Sequence, residues 1–216
     1  MNTRISYIDD TDAPGKRAIL KAALMLFVEG GIDSTSVRDI GAKAGLTNPA
    51  LFKHFSSKEG LALYLFERIF RHFRATLPLI DPSPFESQLR CTLAAYLAFF
   101  DQDLNAALYF QENLRRLWPF LLEELSSQSL IAHFRSLLQV GREQKVISTE
   151  DDPRLQVALV SGFLGQFARQ LYFQEIQGPA TTRLEEIHKI ILRGLAPRLA
   201  LEQTTKPRPM NGSIES

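Results

Sequence analysis

Between Val37 and Phe55 the chain stops one helix and starts another within a few residues, and that interruption limits what it can fold into. Val37, Ile40 and Ala44 recur at helical spacing. Gly45 then closes the segment, because glycine reaches the left-handed terminal conformation without strain. Thr47 is placed to cap a new, short helix, and Pro49 is tolerated in its first turn, where an N–H has no intrahelical partner to lose. Leu51, Phe52 and Phe55 give this helix an apolar side. Two short helices around a tight glycine turn make a helix-turn-helix.

The flanking sequence supplies the frame. A helix is expected from Pro14 to Glu29, with Ile19, Ala22, Ala23, Leu26 and Phe27 on one face and Gly30-Gly31 as its stop. Ser36 and Asp39 have capping-box spacing at the start of the next helix. Ser56 or Ser57 caps a fourth, Glu59 is placed to complete a capping box, and Leu61, Leu65, Ile69 and Phe73 form its buried stripe. The proline cluster LPLIDPSP, from Leu77 to Pro84, ends that helix and marks a boundary. Further helices are expected over 85–101, 103–117, 119–145, 153–176 and 183–202. No convincing alternation of strands is found, so the fold class is all-α. Residues 1–13 read as a flexible polar arm, 14–60 as the helix-turn-helix domain, 61–203 as a larger helical domain, and 204–216 as a disordered tail.

Composition narrows the function. Hydrophobic residues make up 45% of the chain, enough for a real core, and the formal net charge is only +1. Nucleic-acid binding must therefore rest on local charge. From 14 to 60, Lys16, Arg17, Lys21, Arg38, Lys43, Lys53 and Lys58 outnumber Glu29, Asp33, Asp39 and Glu59. A single cysteine, Cys91, forms no intrachain disulfide and points to a reduced, cytoplasmic setting. The first residues lack the apolar segment of a signal peptide, and no apolar run is long enough to span a membrane. No phosphate-binding glycine loop, nucleophile elbow or H-E-x-x-H is found. His54, His72, His133 and His188 are far apart and have no metal-ligand spacing with Cys91. No enzyme activity, cofactor or metal is expected.

The short third helix suits the DNA major groove, which admits one α-helix, and its free N-terminal N–H groups favour an approaching phosphate. TSVRDIGAKAGLTNPALFKHFSSKEGL, from Thr35 to Leu61, resembles the DNA-binding signature of the TetR family of transcriptional regulators. RAILKAALMLFVEGGIDSTS, just upstream, is similar to that family's first helix and glycine turn. The resemblance covers about residues 14–65. It implies base contacts from Thr47, Asn48, Ala50 and Lys53, with Asn48 on an adenine edge and Lys53 on a guanine edge. Thr47 serves equally as a cap, and Pro49 either touches a thymine methyl or simply fills the first turn. His54 and Lys58 match positions that meet phosphates, with Thr35, Ser36 and Arg38 as further contacts. Phe52 stands on this face where the family commonly has tyrosine, and Ala50 where it often has a hydroxyl residue.

The C-terminal half has other needs. Val157, Val160, Ser161, Leu164, Gly165 and Ala168 in one helix, and Leu184, Ile187, Ile191, Gly194 and Leu195 in the last, are apolar or small and are expected to pair with a second copy as a four-helix bundle. The alternative is that both stripes complete an intramolecular core. An ILRGLAP stretch near the end is in keeping with the family's dimerisation domain. Dense aromatics suggest an apolar effector cavity lined from among Phe99, Tyr109, Phe110, Trp118, Phe134, Phe163 and Phe167, with polar neighbours such as Gln111, Asn113, His133, Gln139 or Gln166. The resemblance thus implies a homodimeric repressor on a palindromic operator, released by a small, largely apolar molecule. The alternatives are an activator or regulator without such a ligand, or a helical ligand-binding module without DNA binding.

Overall fold

The computed structural model describes residues 7–9, 11–121 and 129–197, and all regular structure among them is helical. The α-helices are α1 (Pro14–Gly30), α2 (Val37–Ala44), α3 (Asn48–Phe52), α4 (Lys58–Thr76), α5 (Phe85–Gln102), α6 (Leu104–Leu117), α7 (Leu130–Glu143), α8 (Pro153–Tyr172) and α9 (Leu184–Leu195). Short 3-10 turns occupy Trp118–Phe120 and Ala180–Arg183.

Local chemistry sets the first four helices. Gly31, at φ 82°, closes α1 by donating its N–H to Phe27 O at 3.0 Å. The Ser36–Asp39 capping box forms: Asp39 N donates to Ser36 Oγ at 3.1 Å, and Ser36 N donates to Asp39 Oδ2 at 3.0 Å. Hydrogen bonds from Ser36 hold the Asp39 carboxyl below its usual pKa. Gly45 ends α2 in the left-handed conformation at φ 68°. Of the two candidate serines, Ser57 caps α4, accepting the Gly60 N–H at 2.9 Å. The third helical residue is then Gly60, so Glu59 completes no capping box. It sits instead in the first turn, where a carboxylate favours the helix dipole.

Helix α4 spans 19 residues and buries Leu61, Leu65, Ile69 and Phe73, together with Ala62, Phe66 and Phe70. At 1.5 Å per residue it reaches about 28 Å, from the helix-turn-helix into the larger helical layer. The proline cluster after it is held by Gln88, whose Nε2 donates to Asp81 O and Ser83 O at 2.7 Å each. Gln144, at the C-terminal end of α7, accepts the Phe85 N–H at 2.8 Å and so fixes the start of α5.

Some expected features differ. Tyr7 and Ile8, expected in a free arm, are buried, with Tyr7 only 2% exposed. Tyr7 Oη donates to Asp103 Oδ2, and Asp12 takes an ion pair from Arg68 at 2.5 Å and one from Lys16 at 3.1 Å. Burial raises the Asp12 pKa, but the bonds from Lys16 and Arg68 outweigh it and hold the carboxyl below its usual range. A buried ring whose hydroxyl finds a carboxylate partner holds a segment that polarity alone does not reveal. The helix expected over 119–145 starts at Leu130, where Ser129 accepts the Ala132 N–H at 3.0 Å; residues 122–128 lie outside the described residues. The last helix ends at Leu195 rather than running to 202, because Ala196 precedes Pro197 and is forced into an extended conformation. The tail over 204–216 lies outside the described residues.

Much of the expected dimer stripe packs inside this chain. Val157, Val160, Leu164 and Ala168 of α8, and Ile187, Ile191 and Leu195 of α9, are buried within this chain's own core. Ser161, Gly165 and Leu184 are half-buried, and Gly194 is exposed. Both helices carry a second apolar face outside: Leu155 is 68% exposed, Leu159 40% and Ile190 45%. A Cβ at Gly194 would lie 3.2 Å from Leu159 Cδ1, so the outer faces of α8 and α9 are continuous.

Candidate nucleic-acid interface and the cavity behind it

The short α3 is too small to stand alone, and two anchors hold it. Leu51 is fully buried, and Phe55, just past the helix end, meets the Tyr64 ring edge-on at 5.4 Å between centroids. Thr47 caps the helix, accepting the Ala50 N–H at 3.4 Å. Gly41 lets the turn close. A Cβ there would meet Leu46 O at 3.0 Å and Asn48 Oδ1 at 3.2 Å, so the α2 backbone approaches the start of α3 as only glycine permits. Sequence reading passed over Gly41, although a glycine inside a helix is itself a signal of close backbone approach.

With Leu51 turned inward, α3 shows the opposite side to solvent. Thr47, Asn48, Pro49, Lys53 and His54 are exposed, Ala50 is half-buried, and Phe52 is 50% exposed. Arg38 on α2 is exposed beside them, and no acidic residue occurs from Gly45 to Lys58. This is a cationic face with a carboxamide at its leading edge. The remaining expected contacts are turned to internal work. Thr35 is buried and its Oγ1 donates to Gly31 O at 2.8 Å. Ser36 serves the capping box. Lys58 Nζ donates to Thr35 O at 2.9 Å and Asp33 O at 3.2 Å, bracing the α1–α2 turn with two of its three protons. Lys16 is likewise occupied, with its Nζ 2.7 Å from Tyr64 Oη and 4.4 Å from the ring centroid.

Behind this face lies a cavity of about 680 Å³, walled by residues of α4 to α8. Its size is that of a small-molecule site. Phe99, Phe110, Trp118 and Phe134 line it as expected, joined by Phe73, Tyr96 and Phe100. Gln111, Leu114 and Arg115 enter from α6, and Ser161, Gly162, Gly165 and Arg169 from α8. Seven expected lining residues lie elsewhere, among them Gln139, whose Nε2 donates to Glu143 Oε1 at 2.8 Å. Tyr109 turns towards the DNA-binding unit, where its Oη donates to Ala62 O at 2.8 Å and its ring stacks on Phe27. Asn113 Nδ2 donates back to Tyr109 O at 2.9 Å. His133 is buried against Thr92, 3.4 Å away, and burial, with the Arg74 charge nearby, pushes its pKa down to about 4. Gln166 holds Arg169 Nε at 3.1 Å, and Phe163 and Phe167 stack on each other. No group of three or more potential metal ligands occurs among the described residues, and no described helix is long and apolar enough to cross a membrane.

A short exposed helix of a helix-turn-helix, carried by a larger helical domain with a cavity, is the layout of a DNA-binding regulator. Residues 19–65 match the family described as bacterial regulatory proteins, tetR family. Over these residues the chain is similar to the DNA-binding unit of TetR-family transcriptional regulators. It is 44% identical over 55 residues to the HTH-type transcriptional repressor KstR2 of Rhodococcus jostii, a match covering 24% of this chain and 27% of that protein. It is 27% identical over 177 residues to the repressor BepR of Brucella suis, covering 72% of this chain and 81% of the relative. In fold it is similar to the ketosteroid regulator KstR2 of Mycobacterium tuberculosis, with a TM-score of 0.68, 19% identity and coverage of 84% and 94% of the two chains. It is also similar in fold to FadR of Bacillus subtilis in complex with stearoyl-CoA, with a TM-score of 0.63, 17% identity and coverage of 82% and 98%.

Proposed function

We propose that this chain is a homodimeric repressor that binds a palindromic operator through paired α3 helices and is released when a small, largely apolar molecule fills the cavity. The observation that carries the reading is the position of α6. This helix walls the cavity through Gln111, Leu114 and Arg115 and meets the DNA-binding unit through Tyr109, whose ring stacks on Phe27 of α1. A ligand that shifts α6 therefore acts on the helix-turn-helix. A coupling of about 1–3 kcal/mol changes operator affinity roughly 5- to 150-fold.

Dimerisation is supported by the continuous outer face of α8 and α9, where Leu155, Leu159 and Ile190 meet solvent beside Gly162 and Gly194. Two such faces related by a two-fold axis bury each other as a four-helix bundle. Binding successive major grooves of one duplex requires the two α3 helices to stand about 34 Å apart, one helical turn of DNA. The names of KstR2 and BepR as repressors favour repression, and stearoyl-CoA in FadR favours a ligand with a long apolar part.

Selection of bound sequences from random DNA, repeated with a metabolite extract, tests this. An enriched palindrome whose recovery falls with extract is expected. An unenriched pool overturns the DNA reading, and an extract-insensitive palindrome overturns release by ligand.

A further inference from the structure

We propose that the cavity takes an amphipathic anion, its apolar body among the aromatic rings and its acid group held by Arg115 and Arg169. This deepens the reading of the cavity as an effector site and rests on it.

The wall chemistry is asymmetric. Among the described residues, two arginines line the cavity and no Asp or Glu does. Arg115 has no ion-pair or hydrogen-bond partner among the described residues, and Arg169 spends only its Nε, on the neutral Gln166. Other arginines of these helices have acidic partners: Arg68 pairs with Asp12, Arg90 with Glu185 and Arg116 with Asp33. Unmatched guanidinium groups beside an apolar chamber attract a carboxylate or phosphate, and their planar donors suit either.

The seam between α6 and α8 places the charges. Gln111 on α6 faces Gly165 on α8, with its Oε1 3.5 Å from where a Cβ would stand. Arg115 lies one turn from Gln111 and Arg169 one turn from Gly165, so both cations flank this contact. Gly162 and Gly165 keep the α8 side of the seam open. Gln111 Oε1 is buried there without a hydrogen-bond partner. A buried orphan acceptor is costly, and it marks the point where the chamber ceases to be purely apolar. Half a turn of the carboxamide replaces that oxygen with two N–H donors for an anionic group. A neutral hydrocarbon leaves the buried Gln111 oxygen without a partner.

Trp118 is the sole tryptophan and lines the cavity, so its emission reports occupancy. The test titrates the full chain with three probes of one chain length: dodecanoate, dodecanol and dodecylammonium, each below its micelle concentration. Dodecanoate is expected to bind at least about tenfold more tightly than dodecanol, with dodecylammonium weakest and the preference shrinking as salt rises. The double substitution Arg115→Gln with Arg169→Gln is expected to bring dodecanoate down to the level of dodecanol. A thermal melt checks that the variant is folded. Equal binding of the three probes, binding of none, or a carboxylate preference that survives the double substitution overturns the proposal. The titration uses no DNA. A protein that takes dodecanoate through these arginines yet stays on its operator keeps this inference and overturns release.

Discussion

Arg116, in the last turn of α6, reaches Asp33 in the turn between α1 and α2, with Nη1 2.8 Å from the Asp33 carboxylate. The carbonyl of the same Asp33 accepts a bond from Lys58 at the start of α4. One short turn is thus held from the cavity wall on one side and from the long helix α4 on the other. The turn leads directly into Ser36 and the cap of α2, so its position sets where the helix-turn-helix begins.

The ion pair is largely exposed, at 39% for Arg116 and 84% for Asp33, and is worth no more than about 1 kcal/mol in stability. Arg116→Gln is therefore expected to leave the melting temperature nearly unchanged while reducing the loss of operator affinity on effector binding. Fluorescence anisotropy on selected DNA, with and without dodecanoate, measures that ratio. An unaltered ratio assigns the coupling to Tyr109 and Ala62 instead.

Lys53 and Lys58 are expected to separate. Lys53 is exposed without a described partner, so Lys53→Ala should weaken DNA binding and lower the salt slope by about 1 without changing stability. Lys58→Ala should weaken binding and also cost about 1.5 kcal/mol of folding stability, because two backbone carbonyls lose a charged donor. Asn48→Ala should mainly relax base preference at one position. Urea unfolding beside DNA titrations distinguishes the three.

Ile190 and Ile191 are neighbours with opposite assignments. Ile190 is exposed and Ile191 fully buried. Ile190→Glu, combined with Leu159→Glu, is expected to yield a folded monomer by sedimentation. Ile191→Ala is expected to cost about 2–5 kcal/mol of folding stability through a core cavity. A dimer that survives the double glutamate variant places the interface elsewhere.

Tyr7 belongs to the core despite its place in a polar stretch. Tyr7→Ala should cost about 3 kcal/mol or more, as for other buried aromatics, and Tyr7→Phe much less. A chemical melt showing no change for Tyr7→Ala returns residues 7–9 to a free arm.

His133 gives the acid limb of the stability profile a signature. Its folded pKa, near 4, lies below that of the unfolded chain, so the unfolded state binds more protons between about pH 6.5 and 4. Stability from this group is full above that window and is lost progressively as pH falls through it. His133→Gln should flatten the fall in melting temperature across the same window.

The helix-turn-helix was legible because its determinants are neighbours in the chain. Ser36 with Asp39, Gly45, and Thr47 with Ala50 act over one turn or less, so residue type and spacing were enough. The stripe on α4 was legible for the same reason: periodicity marks a buried face whatever it meets. The choice of Ser57 over Ser56 escaped because both have the right chemistry one residue apart.

The chain alone determined that it is helical, where most helices start and stop, and that a short helix follows Gly45. Only the tertiary structure decided which apolar face turns inward, since α8 has one on each side and packing buries Val160 while leaving Leu159 outside. It also decided that Lys58 braces a turn, that Tyr7 is core, and that Arg115 borders a cavity. These outcomes depend on distant partners, and periodicity records how much surface a helix must bury, not what it is buried against.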